Sequence, residues 1–350
     1  MEIPKTLLHA LAFIGTLVCL TVIERMFDFF SFHFTTPRDP LKAYRRRGPK
    51  PTYALITGAS AGIGYGIAQA LIKNGFGVIL LGHKEEELNE SAAFLKTLVP
   101  EEHRAKADEF AKVIVMDAQT ATPQEMEAKL RTTIVDGELR VSILVNNVGS
   151  NPIALPAFRD LRTYSPNDID SVIDLNARFM ARLTTIMLPV LANRGAGVDE
   201  RGMSFGTHRY SLILNMSSGG AVGLPWLVMY SATKAFNQAF SHALSRELEA
   251  DPETRHIDCL CIVPGDVKSQ GNCTGNNMGS PDSETFGRHV VEKVDGAVSR
   301  GWREMSPYWL HHLQMMALNW LPERYVTRGV TDINKAKRDA FNAVYKPKEG

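Results

Sequence analysis

The chain is poor in cysteine, has no excess of either charge sign and, beyond its N-terminus, no long apolar run. Its four cysteines, Cys19, Cys259, Cys261 and Cys273, form no CxxC pair and no metal-ligand spacing. Neither a disulfide framework nor a metal site is therefore expected, and the compartment reads as reducing. Cys259 and Cys261 alternate along an apolar run, as small core residues of a strand do. With 39 Lys and Arg against 38 Asp and Glu, the formal net charge is +1, which argues against nucleic-acid binding as a main activity. Internal repeats and low-complexity segments are also missing. What remains is 350 residues, 44% of them hydrophobic, enough for one large α/β domain or two small ones.

The long apolar run lies at residues 6–23, eighteen residues without a formal charge, near the lower limit for a helix that crosses a bilayer. Glu24 and Arg25 interrupt it, and Phe27, Phe29, Phe30 and Phe32 follow as an aromatic cluster suited to a membrane interface. Arg38, Lys42, Arg45, Arg46, Arg47 and Lys50 then form a basic collar, which by the positive-inside rule places the rest of the chain in the cytosol. The expectation is a single-pass anchor with a basic, Pro-rich linker over residues 1–50. A cleaved signal peptide and an interfacial helix are the alternatives; no convincing small-residue cleavage site is present. Asn89, Asn215 and Asn272 each begin a formal glycosylation triplet. A cytosolic domain leaves all three bare, and Asn215 sits inside an apolar strand where no glycan fits.

From residue 51 short apolar runs alternate with amphipathic stretches. Strands are expected near 53–56, 78–81, 113–116, 142–145, 211–214 and 259–263, and helices near 63–74, 84–98, 123–134, 166–191 and 230–250. Such alternation argues for a parallel sheet with right-handed crossovers. Residues 193–209 read as an exposed loop. Beyond about 270 the alternation is expected to stop, and a helical tail rich in Met and Trp takes over.

Two motifs carry chemistry. The first strand runs into Thr57-Gly58-Ala59-Ser60-Ala61-Gly62-Ile63-Gly64 and then a helix. Glycines there permit a tight turn and close approach to a pyrophosphate, while the helix N-terminus supplies N–H donors. The second motif is Tyr-Ser-Ala-Thr-Lys, with Tyr230 and Lys234 four apart on one helix face and Ser217 thirteen residues upstream of the tyrosine. A tyrosine titrates at about pH 10 in water, and a cation beside it would bring it toward the working range. Ser217 and Ser218 are adjacent; the thirteen-residue distance favours Ser217, and Ser218 stays open as the alternative.

The glycine spacing G-x-x-x-G-x-G, followed by Asn146-Asn147-Val148-Gly149, Asn176, Ser217, Tyr230, Lys234 and Pro264-Gly265-Asp266-Val267-Lys268-Ser269, resembles the short-chain dehydrogenase/reductase family over roughly residues 50–270. The resemblance implies a single α/β domain, a Rossmann-type doubly wound parallel sheet over 51–270. The N-terminal membrane helix precedes it, and a helical lid and extension of the same domain covers 271–350. It implies Asn176, Ser217, Tyr230 and Lys234 as the catalytic set, with Tyr230 protonating a carbonyl oxygen and Lys234 lowering the phenol's pKa. Asn176 would hold a water linking Lys234 to solvent. Cofactor contacts are implied at Thr57, Gly58, Ser60, Gly62, Ile63, Gly64, Asn146, Asn147, Gly149, Pro264, Gly265, Val267 and Ser269, besides Tyr230 and Lys234. Asp117 resembles the residue that meets the adenine. Gly82 stands where NAD-users of the family carry an acid, and His83 and Lys84 could approach a 2′-phosphate. NADP(H) is therefore favoured over NAD(H), although neither is the arginine often seen and Ala61 replaces a lysine of some NADP-users.

The NNVG form, the GLP turn before YSATK, the anchor and the tail around residues 307–325 resemble the membrane-anchored very-long-chain 3-ketoacyl-CoA reductase and 17β-hydroxysteroid dehydrogenase branch. The implied activity is reduction of a lipophilic carbonyl, with a 3-ketoacyl chain first. A steroid or specialised-metabolite ketone is second, and a tethered binding protein without turnover is the alternative of a different class. Lys346 and Lys348 fit an endoplasmic-reticulum retrieval pattern, so the expected location is that membrane, with the catalytic domain facing the cytosol. A homodimer is implied by the resemblance alone.

Overall fold

The computed structural model describes residues 4–35, 37–46, 48, 50–150, 156–193, 211–270, 272 and 279–344. Most of the 193–209 loop, Cys273, Lys346 and Lys348 lie outside the described residues. The first element, α1 (Lys5–Phe34), does not stop at Glu24 and Arg25 but carries on through the phenylalanine cluster. It is long and apolar enough to cross a membrane, and its most apolar stretch has no residue buried against the protein. The segment after it is no free linker. Tyr44 is 1% exposed and donates to Asp258 Oδ2 at 2.6 Å, while Arg46 reaches the main-chain oxygen of Asn193 at 2.9 Å.

The chain then alternates β1 (Thr52–Thr57), α2 (Gly62–Lys73), β2 (Gly77–Gly82), α3 (Glu85–Thr97), β3 (Ala111–Val115), α4 (Pro123–Leu130) and β4 (Arg140–Asn146). α5 (Pro166–Ile173), a π turn (Asp174–Arg178) and α6 (Phe179–Ala192) follow on, and then β5 (Ser211–Met216), α7 (Val228–Ala250) and β6 (Ile257–Ile262). These are the six strands and five helical stretches expected from the sequence. The runs are readable because strands covered on both faces need apolar side chains on both; β1, β2 and β5 are buried at every position.

The expectation that alternation ends near 270 is corrected. α8 (Ser283–Ser299) returns to β7 (Glu304–Met305), which pairs parallel with β6. Two residues, one of them a glutamate, leave no apolar run to read. The tail proper is α9 (Trp309–Trp320) and α10 (Glu323–Val344).

The seven strands pair in parallel throughout, in the order β3-β2-β1-β4-β5-β6-β7. One core layer holds Ile67, Leu71, Phe76, Phe286 and Val290, and the other Leu183, Met187, Leu244 and Leu248. α2 and α8 cross closely enough that a Cβ on Gly66 would lie 1.9 Å from the Ser283 oxygen. Strand order reverses between β1 and β4, and a crevice at the carboxyl ends of strands flanking such a switch is where ligands bind in open α/β sheets.

Candidate active site

The glycine-rich turn sits at that switch point. Gly58 and Gly62 have φ of +63° and +62°, a region that side chains disfavour. A Cβ on Gly64 would lie 2.5 Å from both the Gly58 oxygen and Asn147 Nδ2. Asn147 braces the turn from β4, donating Nδ2 to the oxygens of Thr57 at 3.0 Å and Gly58 at 3.1 Å. Thr57 Oγ1 in turn accepts from the amides of Asn147 and Val148. Among the described residues no side chain caps the N-terminus of α2. An open turn against an uncapped helix N-terminus fits the pyrophosphate of a dinucleotide. Ser60 and Ile63 are half-buried along the same turn, and Ser269 approaches Gly62 from the opposite wall.

Asn146, expected at the cofactor, is turned the other way. Its Nδ2 donates to Thr184 Oγ1 at 2.9 Å and Asn215 Oδ1 at 2.8 Å, so successive asparagines of a strand end serve opposite faces. Asn215 also donates to Ser241 Oγ, which ties β4, β5 and α7 into one polar thread through the core. At the end of β2, His83 and Lys84 are exposed, and Lys84 pairs with Glu87 at 2.6 Å. Asp117 is exposed after β3, with Oδ1 accepting from the Gln119 amide.

The catalytic candidates gather at the ends of β4 and β5 and on α7. Lys234 is 3% exposed, and its Nζ donates to the Met216 oxygen at 3.1 Å. Asn176, fully buried in the π turn, accepts from the Ser150 amide at 2.8 Å and donates to its oxygen at 3.1 Å. Such turns are frequent at functional sites because they re-aim side chains. Gly149 separates the two groups: a Cβ there would lie 2.9 Å from both Asn176 Oδ1 and Lys234 Nζ.

One sequence expectation fails at this point. The Ser217 hydroxyl is buried beneath the helix and donates to the Lys234 main-chain oxygen at 2.7 Å. Ser218 is the serine hydrogen-bonded to the Tyr230 phenol; its Oγ also accepts from the Gly220 amide at 3.0 Å. Counting residues misses this because Ser218 caps a 3-10 turn, Gly219–Val222, that sets which hydroxyl faces the tyrosine. Lys234 Nζ lies 5.8 Å from the Tyr230 ring centroid, and burial raises the phenol's pKa, only partly offset by the Ser218 hydrogen bond. Burial brings the Lys234 ammonium down to about 8.

The second wall comes from the segment after β6. Pro264 accepts from the Gly219 amide at 2.8 Å, and Val267 is buried. Gly265 backs onto His311 of α9, whose Nε2 lies 3.1 Å from the Asp266 oxygen. Met315, one turn on, reaches Gly219. α10 closes the rim: Lys337 pairs with Asp266, Asn334 Nδ2 donates to the Pro225 oxygen at 2.8 Å, and Arg338 lies 5.0 Å over the Trp226 ring. Burial alone would raise Asp266's pKa, but hydrogen bonds from Lys337, Asn272 and Ser280 hold it below the usual carboxylate range. Asn334 and Lys337 carried no sequence signal, since each acts across a long chain separation, whereas His311 and Met315 lie in the tail that the sequence marks as rich in Met and Trp.

The model of the family described as short chain dehydrogenase matches residues 52–277. A very-long-chain 3-oxoacyl-CoA reductase of Candida albicans is 29% identical over 292 residues, 82% of this chain and 76% of that protein. A protein of the same name from Aspergillus oryzae is 31% identical over 279 residues, 78% and 71% of the two chains. Among solved structures, a short chain dehydrogenase from Shigella flexneri complexed with NADP is similar over 74% of this chain and 97% of its own. Its TM-score is 0.58 and its sequence identity 19%, a likeness of fold.

Proposed function

Because the chain belongs to the short-chain dehydrogenase/reductase family, we propose that it reduces the 3-keto group of a long acyl-CoA with NADPH. The observation that carries this reading is the convergence of Tyr230, Ser218, Lys234 and Asn176 beside the glycine-rich turn. The relatives named very-long-chain 3-oxoacyl-CoA reductase support the substrate class. The cradle of Gly58, Gly62 and Gly64 and the bare α2 N-terminus would hold the pyrophosphate, with Pro264 and Gly265 beside the nicotinamide. His83 and Lys84 would meet the 2′-phosphate once Lys84 leaves Glu87. When bound, the dinucleotide supplies the hydride.

The protein's own residues supply the proton and its placement. Burial keeps the Tyr230 phenol protonated at neutral pH, the state in which it can protonate the carbonyl oxygen as that oxygen gains charge. Ser218, whose oxygen already accepts from the Gly220 amide, would turn its proton from the Tyr230 oxygen to the substrate oxygen. Lys234 remains mostly an ammonium at neutral pH and stabilises the phenolate left after transfer. The space by Gly149 between Lys234 and Asn176 suits a water that returns the proton from solvent.

The anchor belongs to the same proposal. α1 crosses the endoplasmic-reticulum membrane at residues 6–23, the basic collar keeps the catalytic domain in the cytosol, and the terminal lysines act in retrieval. Two copies pair along α7, where Phe236 is 46% exposed and stacks on Phe240. The experiment is NADPH consumption by purified full-length protein on 3-ketoacyl-CoAs of graded chain length and on steroid ketones. Turnover rising with acyl length supports the reading, and turnover confined to steroids contradicts it.

A further inference from the structure

The apolar helix is not tethered to the domain; it is bolted on. Lys293 of α8 donates Nζ to the oxygens of His33 at 2.8 Å and Thr35 at 2.9 Å, capping the C-terminus of α1. Arg300 donates to Ser31 Oγ at 2.7 Å and faces Asp28 at 3.5 Å. Phe32 is 1% exposed, with Trp302 at 4.7 Å between ring centroids. His33 Nε2 meets His312 Nδ1 of α9 at 2.8 Å, and Phe29 stacks near the same imidazole at 5.3 Å. These contacts fix His312 of α9 at the level of Phe29 to His33, six to ten residues past Ile23 and so about 9–15 Å along the helix axis. With a headgroup layer of about 5–7 Å on each side of the hydrocarbon, α9 lies at the membrane's water boundary.

The outward face of α9 is what such a position requires. Trp309, Leu313, Ala317 and Trp320 fall at helical spacing on one stripe, and Trp309, Leu313 and Trp320 are 41%, 47% and 68% exposed. Leu321 continues it at 49%. The stripe flanks His312, which packs on Phe29 at the base of α1, where Phe30 and Phe34 are 53% and 66% exposed. Tryptophan pairs of this kind prefer the headgroup level of a bilayer. The opposite face of α9 carries His311 and Met315 against Gly265 and Gly219, the two walls of the active site. One helix therefore has the catalytic cleft on one side and the lipid boundary on the other.

We propose that α9 is a second membrane-contact element, seated in the lipid headgroup layer by Trp309, Leu313 and Trp320, which opens the active-site mouth directly onto the bilayer surface. The inference rests on the anchor reading above and adds that the domain has one fixed orientation on the membrane. An acyl chain then passes from lipid to Tyr230 along the inner face of α9 without crossing water.

The test uses full-length protein in phosphatidylcholine vesicles whose acyl chains carry bromine near the headgroup, a short-range quencher of tryptophan emission. The parent should be quenched, and Trp309→Phe with Trp320→Phe should lose that quenchable emission while Trp302 and Trp226 still fluoresce. Equal quenching in parent and double variant would overturn the proposal, as would unchanged access of aqueous iodide to Trp309 and Trp320 on adding vesicles. Shielding from both quenchers would also overturn it and assign the face to a second copy of the chain. Phe13→Trp in the double variant, read in vesicles whose bromine sits near the ends of the acyl chains, separates the two readings. Quenching at Phe13→Trp without quenching at α9 sinks only this inference, whereas none at either position sinks the anchor. As a second readout, Leu313→Glu with Trp320→Glu should raise KM several-fold for long 3-ketoacyl-CoAs in vesicles and leave short, soluble ones unchanged; equal effects on both would contradict it.

Discussion

The Ser217 hydroxyl donates to the main-chain oxygen of Lys234 at 2.7 Å, which leaves its neighbour Ser218 as the serine that meets the Tyr230 phenol. Adjacent residues on extended backbone point to opposite sides, so one serine locks β5 to α7 and the other faces the cleft. Ser218→Ala should lower kcat by about a hundred-fold or more with the fold intact, as losing a donor to a developing oxyanion does. Ser217→Ala should act mainly on stability, by about 1 kcal/mol for a buried hydrogen bond. Steady-state kinetics beside thermal melts of the two variants separate the roles; the reverse pattern would restore Ser217 to the chemistry.

The pH dependence follows from the buried lysine. Its pKa is lowered to about 8, so the ammonium is present below that value and lost above it. Tyr230 is shifted upward and holds its proton over the same range. The kcat/KM for reduction should be flat through neutrality and fall above about pH 8, a limb that reports the free enzyme. Lys234→Arg, with a guanidinium that does not titrate there, should move that limb upward even if the rate is lower. A limb that stays in place would assign it to another group.

Cofactor choice turns on Gly82. A Cβ there would meet Leu88 at 3.5 Å, ordinary contact, so packing does not demand glycine at the end of β2. Gly82→Asp should therefore fold, repel a 2′-phosphate and hydrogen-bond a free ribose hydroxyl. The ratio of kcat/KM for NADPH over NADH should drop by about ten-fold or more, as 1.4 kcal/mol of differential binding gives. An unchanged ratio would show that the end of β2 does not read the ribose.

The rim formed by α10 offers a separate check. Lys337→Met removes the partner of Asp266, a carboxylate held below its ordinary range by that lysine and its neighbours. Substrate KM should rise with little change in kcat, because the wall after β6 loosens while Tyr230 and Ser218 stay put. A depressed carboxylate contributes stability above its unfolded pKa and loses it as pH falls through the folded value. Acid should therefore erode the parent's advantage over the variant in thermal melts, and a constant difference would mean that the pair contributes nothing.

Most of the architecture was legible because a sheet covered on both faces writes itself as uninterrupted apolar runs, as in 78–81 and 211–214. β7 was not, since two edge residues including Glu304 leave no such trace. The glycine turn and the Tyr230–Lys234 pair were legible because local spacing on one helix fixes them. The direction of a side chain was not: Asn146 against Asn147, and Ser217 against Ser218, differ only by which face the strand end presents. Nor could spacing tell that Lys234 is buried with its ammonium on the Met216 oxygen.

The central claim is that a buried, protonated Tyr230 delivers the proton to a substrate carbonyl. Its most direct measurement is single-turnover NADPH oxidation by Tyr230→Phe, with a long 3-ketoacyl-CoA and with cofactor binding followed separately. The account predicts that NADPH still binds and the protein still melts cooperatively while oxidation falls by at least a hundred-fold. Oxidation at the parent rate in that variant would contradict it.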